Sequence, residues 1–124
     1  MPIEYQQDDL NRRINVTATE PVTSGDLLEL ANRQAAGGAW SYGMLYDATA
    51  GHEPPSRDII HRLVLLAGVL TTKHGRRGPV ALVVRDPDLE RMATRYATLG
   101  ELTALNTRVF TTVPEAEDWL RQES

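Results

Sequence analysis

The sequence predicts an α/β domain: a mixed, mostly parallel sheet of about five strands with about four helices, in the order β-β-α-β-α-β-α-β-α. Three observations predict it. Two runs of alternating apolar and polar residues near the N-terminus flank a short turn, the signature of a hairpin. Beyond them, stretches of helical periodicity alternate with short apolar runs, as in βαβ units. One of those runs, Val80 to Val84 (VALVV), shows no alternation, as expected of a parallel strand covered on both faces.

The elements follow in order. Ile3 and Tyr5 point one way and Glu4 and Gln6 the other, which makes the first strand half-buried. Asp8, Asp9 and Asn11 supply turn chemistry around Leu10. Ile14, Val16 and Ala18 form one face of the second strand, with Arg13, Asn15 and Thr17 on the other. Thr23-Ser24-Gly25-Asp26 is a Thr-x-x-acid helix start, continued by Leu27, Leu28, Leu30, Ala31 and Ala35 and stopped by Gly37-Gly38. The aromatic-rich WSYGMLYDA is the third strand. Ser56 opens the longest helix, which runs to about Lys73 and is closed by Gly75, Gly78 and Pro79. Asp86-Pro87-Asp88 starts a third helix, with Asp as N-cap and Pro at the first helical position; Leu89, Met92, Ala93 and Tyr96 are its inner stripe. Arg108 to Thr111 is the last strand. Pro114 opens a final helix carrying Ala116, Trp119 and Leu120. Successive strands joined through helices imply right-handed crossovers.

The bulk properties narrow the function. The 124 residues fit a single domain, 1–124, able to bury a core. Thirteen basic against seventeen acidic side chains give −4, which argues against non-specific nucleic-acid binding. There is no cysteine, so a disulfide, a thiolate nucleophile and a Cys-ligated metal are excluded, and a reducing compartment is suited. The longest strongly apolar stretch, Leu63 to Leu70, is too short for a membrane span, and the polar N-terminus carries no secretory signal, so a cytoplasmic protein is expected.

Four stretches carry a resemblance: IEYQQDDLNRRINVTATEPVTSGDLLEL, YGMLYDAT, PVALVVRDPDLERMATRYATL and RVFTTVPEAEDWL. With the element order, they resemble the SpoIIAA-like group of STAS domains, the anti-sigma-factor-antagonist fold. Within it they look like the small bacterial single-domain branch labelled STAS-like or CRAL-TRIO-like. The resemblance covers nearly the whole chain. It implies a non-enzymatic, cofactor-free regulatory domain that binds partner proteins, and sometimes nucleotides or lipids. It also implies an Asp at the end of the third strand, matched by Asp47, and a phospho-acceptor serine at the start of the next helix, where Ser56 falls. The Asp-Ser-Ser-Gly element of that group is not present: Pro55 precedes Ser56, and Arg57-Asp58 follow it.

Read from the residues alone, Ser56 is a helix N-cap, worth about 1 kcal/mol. Ser56, His52 and Asp47 have the residue types of a hydrolase triad, but the G-x-S-x-G elbow that exposes such a serine is absent. The three histidines, His52, His61 and His74, follow no zinc-binding spacing, so no metal is expected. The loop His74 to Gly78 (HGRRG) makes Arg76 and Arg77 candidates for holding an anion.

Two binding surfaces remain. On the longest helix, Ile59, Ile60, Leu63, Val64, Leu66, Ala67 and Leu70 share a wide stripe that faces the sheet. Leu65 and Val69 fall off it beside Arg62, as a contact patch for a protein partner or a second copy of the chain; in STAS-like domains this helix and the loop before it are the usual interaction face. The alternative is a pocket for a small apolar ligand or lipid beside the third strand, with Trp40, Tyr42, Tyr46, Met92 and Tyr96 as lining. Aromatic and Met side chains at such spacings also serve as ordinary core.

Overall fold

A hairpin opens the chain. β1 (Ile3–Asp8) pairs antiparallel with β2 (Arg13–Ala18), placing Tyr5 opposite Val16 and Asp8 opposite Arg13. The Asp8 carboxylate makes the turn by accepting from the Asn11 backbone N–H at 3.1 Å and its side-chain amide at 2.7 Å. Arg12 completes the turn with a left-handed φ of 52°. The computed structural model describes residues 3–19, 21–51, 58–102 and 105–123.

Three βαβ crossovers follow. α1 (Ser24–Ala36) begins with a full capping box: the Thr23 hydroxyl accepts from the Asp26 N–H, and the Asp26 carboxylate accepts from the Thr23 N–H. β3 (Gly43–Ala48) leads to α2 (Ile59–His74), β4 (Val80–Val84), α3 (Pro87–Glu101), β5 (Thr107–Phe110) and α4 (Val113–Glu123). α3 is capped by Asp86, whose carboxylate accepts from the N–H groups of Asp88 and Leu89, with Pro87 in the first turn.

The sheet order is β1-β2-β3-β4-β5, antiparallel only between β1 and β2. This is the mixed, mostly parallel α/β fold that the sequence predicts. Each crossover steps to the adjacent strand in the same direction, so connections of one hand place α1, α2 and α3 on one face. α4 returns to the other face, where Trp119, Leu120 and Ala116 bury Leu45, Ala81 and Val83. β4 is thereby covered on both sides, which is why its sequence does not alternate.

Four element starts differ from expectation. β3 begins at Gly43, so Trp40 and Tyr42 lie in the turn before it, closed by the Tyr42 N–H donating to the Ala39 carbonyl at 3.0 Å. α2 begins at Ile59 rather than at Ser56: Asp58 occupies the cap position and makes no side-chain cap bond, and buried Ile59 and Ile60 anchor the first turn. Ser56, expected to open this helix, lies outside the described residues, as does His52. β5 and α4 each start one residue early. Thr107 pairs with Val80, and Pro114 becomes the second residue of its helix, behind a Thr112 hydroxyl that donates to Glu115 at 2.8 Å.

Candidate functional site

Strand alternation builds the floor of a cavity. Met44, Tyr46 and Ala48 of β3 pair in register with Val80, Leu82 and Val84 of β4, and all six side chains face the three-helix layer. Ala18 extends this floor onto β2. Above it, α2 packs chiefly on α1 and α3 rather than on the strands. Short side chains at Ala18, Ala31, Ala48 and Ala93 leave space beneath it. The result is an apolar cavity of about 150 Å³ between sheet and helices, walled by Leu27 and Leu30, by Ile60 and Leu63, and by Met92 and Tyr96.

Among the described residues, one charged side chain reaches this apolar lining. Arg77 lies in the connection between α2 and β4 and is half-buried. Its Nη2 donates to the Gln34 side-chain carbonyl at 2.9 Å, and its Nη1 donates to the Tyr96 hydroxyl at 3.3 Å. Its guanidinium carbon stands 4.5 Å from the centre of the Trp40 ring, a cation–π stack. Gln34 is fully buried and is itself fixed by donating to the Ala39 carbonyl at 3.0 Å. The Arg77 Nε is buried with no hydrogen-bond partner among the described residues, and no described carboxylate forms a salt bridge with Arg77. A cation is thus held by an amide, a phenol and an indole face, all of them neutral.

The structure sorts the predicted site residues. Tyr46, Met92 and Tyr96 line the cavity. Trp40 does not: it is buried among Ala31, Ala35, Ala67, Leu70 and Leu105, and it reaches the cavity only through the arginine stacked on it. Tyr42 does not line it either. Its hydroxyl donates to Asp9 at 2.7 Å, and that bond is the main cause of its raised pKa. Both residues precede the strand, so its alternation does not point them inward. Arg76 and Arg77 part company: Arg76 is exposed while Arg77 turns into the fold, so the two do not form one anion site. The Asp47 carboxylate closes the end of β3 by accepting from the Thr49 N–H at 3.0 Å and the Thr49 hydroxyl at 2.8 Å. Among the described residues no group of three or more His, Asp or Glu side chains could hold a metal. On α2, Arg62 is exposed, and Leu65 and Val69 are 70% and 64% exposed. The sequence carries no local sign of the role of Gln34, and it marks Gly78 only as a helix stop, whereas a Cβ there would meet the Tyr42 and Ser41 carbonyl oxygens.

Burial raises the Tyr46 phenol to about 12, and the Asp26 carboxylate pushes in the same direction. A phenol whose folded value lies above its unfolded one holds its proton more tightly in the fold. Its contribution to stability is therefore complete below about pH 10 and is lost as pH rises towards 12, on the order of 2 to 3 kcal/mol. Urea denaturation at about pH 9 and about pH 11.5 should show a steeper alkaline loss for wild type than for Tyr46→Phe. Equal losses would contradict it.

No family model, curated protein or solved structure matches this chain. Among the described residues, no helix is long and apolar enough to cross a membrane.

Proposed function

We propose that this chain is a non-enzymatic binding domain that holds a small apolar ligand in the cavity between its sheet and helices. The carrying observation is the cavity itself: about 150 Å³, lined almost wholly by aliphatic and aromatic side chains. Apolar cavities of about this size accept a benzene-sized guest. The carboxylate at the end of β3 is engaged in a turn, which leaves it in a structural role. STAS-like membership and a bacterial cytoplasmic location belong to the same proposal; the residues quoted above, the element order and the lack of cysteine support them.

Titration with toluene, followed by methyl NMR, tests the reading. Shifts should concentrate on Ala18, Met44, Ala48 and Met92 and saturate. Absence of any shift up to the solubility limit of toluene would reject it. Native mass spectrometry after extraction identifies what the protein carries when purified.

The exposure of Leu65 and Val69 favours a second reading, in which the outer face of α2 docks a protein partner or a second copy of the chain. Leu65→Asp with Val69→Asp should change the sedimentation coefficient or abolish pull-down of the partner, while stability moves by no more than about 0.5 kcal/mol, as at exposed sites. Wild-type behaviour in both assays means that the face is not an interface.

A further inference from the structure

We infer that the ligand of this cavity is a small apolar monocarboxylate whose carboxylate seats on Arg77 beside the Tyr96 hydroxyl. The inference rests on the cavity reading and adds the chemical class of the guest. Three observations carry it.

The first is the contrast in the lining. Of the twenty-one described residues around the cavity, twenty carry no formal charge, and Arg77 is the exception among them. A half-buried cation whose described partners are all neutral gives up hydration without recovering a counter-charge from them, and an entering anion supplies one. The second is donor capacity. A guanidinium has five N–H groups. Two are shown in use, one to Gln34 and one to Tyr96, so Arg77 can still donate to an acceptor. Tyr96 accepts from Arg77, which leaves its own O–H proton to donate to the same acceptor. The third is preorganisation. Gln34, Trp40 and Tyr96 fix the guanidinium on three sides, so little side-chain freedom is lost when a ligand binds.

The chemistry selects a carboxylate. One guanidinium and one phenol match a planar monoanion, and Arg–carboxylate pairing is geometrically favoured. The remaining lining is apolar, so the body of the ligand is a hydrocarbon of about the bulk of a benzene ring or a short alkyl chain.

Calorimetric titration of the wild-type protein with hexanoate and benzoate, against n-hexanol and benzyl alcohol, tests the assignment. Each pair shares its apolar body and differs in the head group. The carboxylates should bind about tenfold tighter or more, the range of a charge-assisted hydrogen bond. Arg77→Gln should remove that preference while the alcohols still bind. Tyr96→Phe should reduce it severalfold. Equal binding of acid and alcohol to wild type overturns the carboxylate assignment and leaves the cavity reading standing. Binding of none of the four, with no response to toluene, overturns both. A full preference retained in Arg77→Gln also overturns the assignment, because the carboxylate would then sit elsewhere. If Arg77→Gln does not fold, the wild-type acid–alcohol comparison decides alone.

Discussion

Gly78→Ala should destabilise the fold by about 3 kcal/mol or more, the largest loss expected from a single added methyl group in this chain. A Cβ at position 78 would lie 2.2 Å from the Tyr42 carbonyl oxygen and 2.4 Å from that of Ser41. Both are backbone atoms of the tight turn ahead of β3, and neither can rotate away. The Gly78 N–H also donates to the Trp40 carbonyl at 3.0 Å, so relieving the clash by separation breaks that bond. This close approach docks the α2–β4 connection onto the residues before β3, and it is what sets Arg77 over the Trp40 ring. Loss of stability should therefore come with loss of carboxylate preference. Gly68→Ala is the matched control. It lies within α2 with nothing within 4 Å of its added Cβ, and it should stabilise by up to about 1 kcal/mol through helix propensity. Urea denaturation of the two variants reads both signs. A Gly78→Ala protein as stable as wild type would mean that the two connections do not touch as described.

The second large effect is expected at Gln34. Gln34→Leu keeps the volume near that of the wild type but removes the buried amide. The Ala39 carbonyl keeps a partner, because it also accepts from the Tyr42 N–H. The main penalty falls on Arg77, which loses its 2.9 Å acceptor while remaining charged and half-buried. The expected loss is about 2 to 3 kcal/mol, the cost of leaving a donor of a charged group without its acceptor. A double-mutant cycle with Arg77→Met isolates the cause. With the guanidinium gone, Gln34→Leu should cost only about 1 kcal/mol, the value of a neutral hydrogen bond. An unchanged cost in both backgrounds would show that Gln34 acts through packing and not through the arginine.

Much of this architecture is written in short-range pattern. Thr23 with Asp26, and Asp86 with Pro87, announce helix starts because capping involves residues within one turn of each other. VALVV announces a strand buried on both faces because its five side chains alone carry that information. The off-stripe positions of Leu65 and Val69 follow from a rotation of about one hundred degrees per residue, and both are exposed. Tyr46, Met92 and Tyr96 were legible as lining by the same periodicities.

Arg77 is where local reading stops. By its neighbours it belongs to a solvated basic loop with Arg76, yet in the fold it faces Gln34, Trp40 and Tyr96, which come from α1, the turn behind it and α3. Gln34 lies 43 residues from Arg77 in the chain, and no spacing rule joins them. Trp40 and Tyr42 fall outside the strand for the same reason: alternation applies only once the strand has begun, and β3 begins at Gly43, after a turn closed by the bond from the Tyr42 N–H to the Ala39 carbonyl. The sequence by itself determined which segments become strands and helices, in what order, and which of their faces are apolar, because those depend on residues a few positions apart. The tertiary structure alone decided that α2 stands off the sheet over a space left by small side chains, and that one arginine turns inward to meet it. Packing between distant segments sets both, and no local periodicity encodes it.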